Sequence, residues 1–512
     1  MKKIFNISTY LAVIHFILCM MRSKSFFVQE SVYLMICRSI FLVILVSIYN
    51  IIYIWIKQKN ITMKRLFPFF CVYFGVMLVL LFLIYPGNWR GGDEFHILKY
   101  VQYGEVNFWH HYLTYLFYTL SIFMLPFPAG IVIMQTLVIA LIVGYICSFI
   151  NIYFSKKLSI IAFLLFFLPP ILDSNFYPMR MSLYAFIECL LWIYIIKIKK
   201  ENVINNNIII NLSVLTSILA VWRTEGIIYI ITIPIIYILL FRKSYSSAKI
   251  IGYMFIIFIC LLMPQSIGNR IQNSNSEYKF TAIMNQIIPL IVEEQKYNPE
   301  SVDLKNINQV MSIAAINEGG KKFNWDANKI YWNQSELSEN LIRNNYTKKE
   351  YNKFLFSYVR LICKYPKIFL KERITVFLDS MPGVTLSSVP DIYNSSDSKH
   401  IYFANNYPLN KPVFPNLRLQ VINILRCGNL PENVRSFIWN VGIPMMIMCI
   451  MSIVLFIKKE WIYIVISAVI LLRFTLVFLT APASYFMYYY SIYLVSLIIS
   501  IVTIYQCKRK LS

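Results

Sequence analysis

Two adjacent carboxylates, Asp93 and Glu94, stand shortly after an apolar run and are well placed to do chemistry. The run, Leu66 to Tyr85, carries no charge and has about the length that crosses a bilayer. Pro86-Gly87 ends it with a turn. A carboxylate pair beside a bilayer can take up a proton, bind a metal ion or hold a polar substrate. The alternative is structural: Asp93 caps a helix that starts at Phe95, and Glu94 lies in its favourable first turn.

The composition defines the class of protein. Hydrophobic residues make up 58% of the chain and charged residues 14%, whereas a soluble domain has about 25% charged residues. The net charge of +24 would indicate nucleic-acid binding only if the cations clustered on a soluble domain. Many of them instead fall in short segments between apolar runs, which is the positive-inside pattern. We therefore predict an all-α polytopic membrane protein that binds no nucleic acid.

The apolar runs predict twelve transmembrane helices, at about 4–21, 33–56, 66–85, 130–150, 158–172, 179–196, 208–222, 226–241, 250–264, 436–457, 461–479 and 484–505. Lysine clusters at 156–157, 197–200 and 458–459 then fall on one side, which the positive-inside rule makes the cytoplasm. Both termini are predicted to be cytoplasmic, and the loop that carries Asp93 is predicted to face outside.

One further apolar segment, His110 to Leu125, is predicted to lie on the membrane without crossing it. An additional crossing there would place every later lysine cluster outside. The external loop, residues 86–129, is therefore expected to carry two interfacial helices, Phe95 to Tyr103 and His110 to Leu125.

Changes in polarity predict three parts of the chain. Residues 1–264 form an N-terminal membrane domain that includes the 86–129 loop, residues 265–435 a mainly helical extracytoplasmic domain, and residues 436–512 the C-terminal membrane helices. In the external domain, the spacing from Tyr351 to Leu378 predicts a helical segment, interrupted at Tyr365-Pro366, that packs on the membrane surface. Whether Cys363 and Cys427 pair stays open.

The order of these features resembles the GT-C superfamily of membrane glycosyltransferases. A span followed by an external loop with Asp93-Glu94 and two surface helices is typical of that family, and Trp109-His110-His111-Tyr112-Leu113 is similar to the start of its second surface helix. Trp222-Arg223-Thr224-Glu225-Gly226 resembles an Arg-x-Glu-Gly element of some bacterial members, and Tyr365 to Leu370 with Arg373 resembles their pre-domain helix. The chain departs from the family in its large external insertion before the last three spans.

The resemblance implies transfer of a sugar from a polyprenyl-phosphate or polyprenyl-diphosphate donor, with the acid of the first loop as the catalytic residue. A carboxylate can serve as the base for an acceptor hydroxyl, and arginine suits a phosphate leaving group because its planar fork matches phosphate oxygens. We expect Asp93 to be catalytic. The substrate-binding candidates, which lie near the predicted outer face, are Glu94, Arg90, His96, His110, Arg180, Arg223, Glu225 and Arg473. For each arginine, the alternative is an anchor at the lipid headgroups.

A divalent metal ion is a candidate cofactor. His96 is one helical turn beyond Asp93, and with His110 or His111 it could complete a metal site. The alternative is that each histidine is an ordinary polar residue.

Two other classes of protein stay open. A polysaccharide polymerase or ligase of O-antigen or capsule type would use lipid-diphosphate oligosaccharides. A transporter or flippase should carry charges near the midplane and a detectable internal repeat, whereas here the spans are largely free of acids and no repeat is evident. The first prediction remains a cell-membrane enzyme with an extracytoplasmic site, a polyprenyl-phosphate-linked sugar donor, and a glycan, lipid or protein acceptor.

Overall fold

The computed structural model describes residues 2–58, 61–90, 92–240, 247–272, 279–381 and 406–511. Every named element is a helix, and the described residues contain one isolated β-bridge, between Met311 and Ile342, and no strand. The predicted all-α class is confirmed.

The helices are numbered here in chain order. Helices α1 to α12 come first: Lys2–Ser23, Val32–Gln58, Ile61–Leu83, Asp93–Gln102, Tyr112–Met124, Pro128–Tyr153, Lys156–Leu165, Pro169–Phe176, Arg180–Glu201, Asn206–Trp222, Ile228–Leu240 and Ser247–Gln272. Helices α13 to α18 follow: Met284–Tyr297, Val302–Asn308, Ile313–Lys322, Ala327–Trp332, Lys348–Lys364 and Pro366–Ser380. Helices α19 to α23 come last: Pro415–Leu425, Glu432–Ile438, Gly442–Ile457, Trp461–Thr480 and Tyr490–Leu511.

Several of these helices are long and apolar enough to cross a membrane. In the described residues there are seven: Val32–Trp55, Lys64–Leu83, Pro128–Tyr153, Arg180–Glu201, Lys249–Gln272, Trp461–Thr480 and Tyr490–Arg509. Two bent pairs, α7 with α8 (59°) and α20 with α21 (44°), raise the number to nine if each is one broken span. The fold is consistent with a multi-pass helical membrane protein. The count of twelve spans and the side that each terminus faces stay predictions.

The chain forms two units, residues 1–272 with 382–473 and 489–512, and residues 273–381 with 474–488. In the first unit, α9 and α23 are each 78% buried and α6 is 67% buried over their most apolar windows. The same windows of α2 and α3 are 22% buried, and that of α12 is 17% buried. A helix that is apolar on all sides yet uncovered by protein is typical of a lipid-facing position. Helices α6, α9 and α23 are therefore the interior of this unit.

The two short helices that were predicted at 95–103 and 110–125 are α4 and α5, and their ends differ from the prediction by one to two residues. Helix α4 begins at Asp93, and its N-cap is Gly92, which makes no side-chain cap. The alternative in which Asp93 caps a helix from Phe95 is therefore wrong. Gly104 lies between the two helices with a φ of +65°, and a Cβ there would approach the Ser31 hydroxyl oxygen at 2.8 Å. Only glycine suits both that backbone and that contact.

The second unit has an apolar core of its own. Its fully buried members include Ile287, Ile291, Ile307, Ile316, Ile330, Phe354 and Leu361, which lie on α13 to α17. The buried Glu294 contacts Lys364 (Nζ to Oε2, 2.7 Å) and accepts a hydrogen bond from the Tyr365 hydroxyl at 2.7 Å. Helix α17 ends at Lys364 and α18 begins at Pro366, so the predicted break at Tyr365-Pro366 is confirmed.

The predicted domain boundaries, at residues 264/265 and 435/436, stay predictions. In the structure, residues 406–435 are grouped with the first unit, because Arg418 and Arg426 bind its polar groups, as described below. Cys363 is exposed, Cys427 is buried, and both are free thiols.

Candidate functional site

The two adjacent acids at the start of α4 lie in different environments. The side chain of Asp93 is 53% exposed, whereas Glu94 is fully buried. Successive residues of a helix point about 100° apart, so one acid faces outward while its neighbour faces the protein. Asp93 is thus the member of the pair that a substrate can reach.

Glu94 holds the loop in front of α4. Its Oε1 accepts a hydrogen bond from the backbone N–H of Arg90 at 2.5 Å, and its Oε2 accepts one from the Tyr177 hydroxyl at 3.2 Å. These contacts favour a structural role for Glu94, which had been predicted to bind substrate.

The structure brings Asp93 and His110 together. The Nε2 of His110 lies 3.6 Å from the Oδ2 of Asp93, and the histidine is 4% exposed. This distance is longer than an ordinary hydrogen bond, and we treat the contact as an ion pair when the ring is protonated. Burial raises the pKa of Asp93, but His110, Arg180 and His96 together bring it below its usual value. Asp93 is therefore ionised at neutral pH, the form that a general base needs.

The other two histidines of this loop have separate roles. His111 is the N-cap of α5, and its Nδ1 accepts a hydrogen bond from the backbone N–H of Leu113 at 3.3 Å. Burial and the charge of Arg180 lower the pKa of His111 to about 3, so it is neutral near pH 7. His96 is exposed, and its Nε2 lies 3.2 Å from the side-chain amide nitrogen of Asn107.

The predicted metal site does not assemble in the described part of the chain. No group of three or more His, Cys, Asp and Glu side chains there has metal-binding geometry. Asp93 and His110 come together, but a ring nitrogen of His96 contacts the Asn107 side chain. A ring nitrogen of His111 accepts a hydrogen bond from the Leu113 backbone.

A buried acid from α8, Asp173, fastens the loop that precedes α4. Asp173 is 1% exposed and contacts Arg90 through its Oδ2. Its Oδ1 accepts from the Asn88 amide at 2.7 Å and lies 3.4 Å from the Arg426 Nε. Arg426 also donates to the Asn88 Oδ1 at 2.9 Å, and Arg90 stacks over the Tyr177 ring at 4.3 Å. Arg90, predicted to bind substrate, is therefore paired inside the protein.

A second arginine from the C-terminal part of the chain, Arg418 in α19, binds the loop that precedes α4. It is fully buried, and its Nη1 donates to the carbonyl oxygens of Gly87 at 2.9 Å and Tyr85 at 3.3 Å. Gly87 has a φ of +118°, and a Cβ there would meet Val132 Cγ2 at 2.8 Å. The sequence offered no local signal for Arg418 or Arg426, because their partners lie more than 250 positions away.

A second cluster of charges lies between α9, α22 and the turn before α11. Arg473 and Glu188 are both fully buried and contact each other. Glu225 lies 3.7 Å from the Arg473 Nη2 and 2.5 Å from the Arg223 Nε. The guanidinium of Arg473 is 4.9 Å, and that of Arg223 5.7 Å, from the ring centre of Tyr184. The structure thus joins the predicted residues Arg223, Glu225 and Arg473, and adds Glu188 and Tyr184.

Arg180, the first residue of α9, acts electrostatically on Asp93 and on Glu225 of the second cluster. Its charge favours the ionised form of Asp93 and of Glu225 and disfavours protonation of His111. Among the predicted cations, Arg180 therefore acts on the carboxylates of both Asp93 and Glu225.

Two glutamines of α12 hold the segment that leads into α5. The side chain of Gln272 accepts from the backbone N–H of Phe108 at 2.9 Å. Gln265 donates to the Phe108 carbonyl at 2.9 Å and accepts from the Tyr112 N–H at 2.9 Å. The Phe108 ring occupies the space above Gly268, where a Cβ would lie 2.2 Å from the ring. These contacts position the segment that carries His110, and sequence reasoning missed them.

The site and fold were compared with known proteins. No protein-family model, curated protein or solved structure matches the chain.

Proposed function

We propose that this chain is a membrane glycosyltransferase of the GT-C type, with twelve spans, cytoplasmic termini and an active site on the outer face. The observation that carries the proposal is the half-exposed, ionised Asp93 at the start of α4, paired with the buried His110 and influenced by Arg180. A carboxylate that is held ionised near a cation and remains accessible is suited to deprotonate a hydroxyl beside an anionic leaving group.

In the proposed reaction, the acceptor hydroxyl gives its proton to an Asp93 oxygen while its own oxygen attacks the anomeric carbon of the sugar. The bond from that carbon to the donor phosphate oxygen breaks, and polyprenyl phosphate leaves with the electron pair. The leaving group is a stable phosphate anion, so the step needs cations near it and no second acid.

The charges refine which arginine holds the donor. Arg223 and Arg473 are balanced by Glu188 and Glu225 in the buried cluster. Arg180 adds a further positive charge close to both Asp93 and Glu225. We assign the donor phosphate to Arg180 because its charge acts on both Asp93 and Glu225, with Arg223 and Arg473 as the supporting cluster. The donor is a polyprenyl-phosphate-linked sugar, and the acceptor is a glycan, lipid or protein of the cell envelope.

The test is sugar transfer by the purified full-length protein in lipid nanodiscs. With a labelled polyprenyl-phosphate monosaccharide, no nucleotide and a panel of envelope acceptors, the unmodified protein should form glycosidic product. Asp93→Asn should lower turnover at least about 100-fold, the usual contribution of a positioned base. Glu105→Gln is the matched control, because Glu105 is an exposed acid of the same loop that accepts from Gln29 at 3.2 Å.

Three results would overturn the proposal in different ways. A fully active Asp93→Asn variant would remove Asp93 from the reaction. Lengthening of lipid-diphosphate oligosaccharides, with no use of the monosaccharide phosphate, would establish a polymerase. Movement of labelled lipid across the bilayer without any glycosidic bond would establish a flippase.

A further inference from the structure

Helix α18 of the second unit carries an apolar stripe that the described residues leave uncovered. Leu370, Ile374 and Leu378 are 47%, 50% and 57% exposed. They are spaced four residues apart, so they lie along one side of the helix. The opposite side, which includes Phe369 and Val376, is buried in the core of the unit.

The stripe adjoins a candidate membrane span. At about 100° per residue, Phe377 lies between the buried side of α18 and the stripe. Its ring packs on the rings of Phe474 (5.3 Å between centroids) and Phe478 (6.2 Å) in the last turns of α22. The buried Arg373 donates to the carbonyl oxygen of Ala481, just beyond the end of α22, at 2.8 Å. Helix α18 therefore lies against the last turns of α22, so its apolar stripe is next to the end of an apolar helix that is long enough to cross a membrane.

The charges beside the stripe match a phospholipid surface. Lys367 and Lys371 are exposed and lie beside the stripe, on the edge that is farther from α22. The exposed acid Asp379 lies about 140° around the helix from Ile374. An apolar stripe flanked by lysines is typical of a helix that lies in the interface, with its apolar side among the acyl chains. The ammonium groups then reach the lipid phosphates.

We propose that α18 is an interfacial helix whose Leu370, Ile374 and Leu378 stripe lies in the acyl region of the phospholipid bilayer at the end of α22, with Lys367 and Lys371 at the headgroups. The helix thereby holds the second unit against the membrane surface. This role is independent of the proposed glycosyl transfer.

The first test uses spin labels on the full chain in nanodiscs of phosphatidylcholine and phosphatidylglycerol. Single cysteines replace Ile374 and, as the matched control on the same helix, Asp379, in a variant without the native cysteines. The label at position 374 should collide more with oxygen, which concentrates among acyl chains, than with a water-soluble nickel chelate. The label at position 379 should show the reverse. Equal nickel access at both positions would place the stripe in water and overturn the proposal. Shielding of position 374 from both reagents would show a protein surface there, and would overturn it as well.

The second test needs no substitution. Unmodified protein is reconstituted with a phospholipid that carries a photoreactive diazirine on its acyl chain, irradiated and digested. The tryptic peptide that begins at Ile374, after Arg373, should carry the lipid label. Leu471 and Leu472, which are 37% and 47% exposed on α22, provide the internal positive control. Labelling of α22 without labelling of the α18 peptide would overturn the proposal.

Discussion

The Nε2 of His110 lies 3.6 Å from the Oδ2 of Asp93, and this contact joins a ring that is 4% exposed to a carboxylate that is 53% exposed. The two residues are 17 positions apart and belong to different segments, since Asp93 opens α4 and His110 precedes α5. A buried ionisable ring thus stands behind an accessible carboxylate. The charge of the first can tune the proton affinity of the second.

His110→Gln should move the acid limb of the pH–activity profile to higher pH. A base works in its deprotonated form. Because the pKa of Asp93 is lowered, its carboxylate stays deprotonated at pH values at which an ordinary aspartate begins to be protonated. Without His110, burial still raises this pKa while one of the lowering contacts is lost, so the limb should shift to higher pH. The measurement is kcat/KM for the donor between pH 4 and 8. His15→Gln is the control, because that ring contacts Tyr49 (3.2 Å) in another part of the unit. An unchanged limb would separate His110 from the titration of Asp93.

Arg180→Gln should weaken use of the donor more than use of the acceptor. The loss removes the positive charge that acts on both Asp93 and Glu225. We expect kcat/KM for the donor to fall at least about tenfold, since charge-assisted contacts to phosphate contribute about 1.5–3 kcal/mol. Arg180→Lys keeps the charge but loses the planar fork, so its kcat/KM for the donor should lie between those of the unmodified protein and Arg180→Gln. Equal losses for donor and acceptor would contradict the assignment of the phosphate to Arg180.

Arg426→Gln should destabilise the first unit. The substitution leaves the carboxylate of Asp173, which is 1% exposed, with fewer compensating charges. Breaking a buried ion pair costs about 3–5 kcal/mol, and the remaining contacts to Arg90 and Asn88 place the expected loss near the lower end. Thermal unfolding in detergent measures it. Lys411→Gln removes an exposed cation from the same region and should be neutral. Equal unfolding temperatures for the two variants would show that Arg426 does not hold the loop.

Gly226→Ala should lower the yield of folded protein. A Cβ at this position would lie 1.9 Å from the carbonyl oxygen of Leu219 and 2.6 Å from the Tyr184 hydroxyl. Even moderate overpacking costs about 1–3 kcal/mol, and here a backbone atom would have to move. Gly252→Ala is the matched control, since a Cβ there meets nothing within 4 Å. The measurement is the monodisperse fraction in size-exclusion chromatography, and equal fractions would contradict the prediction.

The predicted topology is tested with single cysteines and a membrane-impermeant thiol reagent. Ser121, although predicted to lie outside, is buried and would report poorly, so the exposed positions Glu105 and Lys157 are the better choice. A cysteine at 105 should be labelled in intact cells, and one at 157 only after permeabilisation. Labelling of position 157 from outside would show that α5 crosses the membrane, since α5 and α6 would then both cross and this even number of crossings would place the two positions on the same side.

Much of the local structure was predictable because it depends on short stretches of sequence. The long apolar runs of this chain form helices, in which the backbone groups pair within the segment, and a proline after Tyr365 ends one helix and begins the next. The start of α4 was predicted within two residues for the same reason. What failed there was the cap, since Gly92 takes that position and Asp93 becomes the first helical residue.

The sequence by itself therefore determined the all-helical class, the long apolar helices and a short helix that begins at the two acids, because composition and periodicity are local properties. The structure was needed to show that Asp93 is exposed and Glu94 is buried. Only the tertiary structure decided that Asp93 meets His110, that Asp173 meets Arg426, and that Glu188 meets Arg473. The last two pairs are 253 and 285 positions apart. Each depends on which helices pack together, and no spacing pattern in a single sequence records that choice. The physical reason is that a buried charge requires a partner, but any opposite charge that the fold brings near can satisfy the requirement.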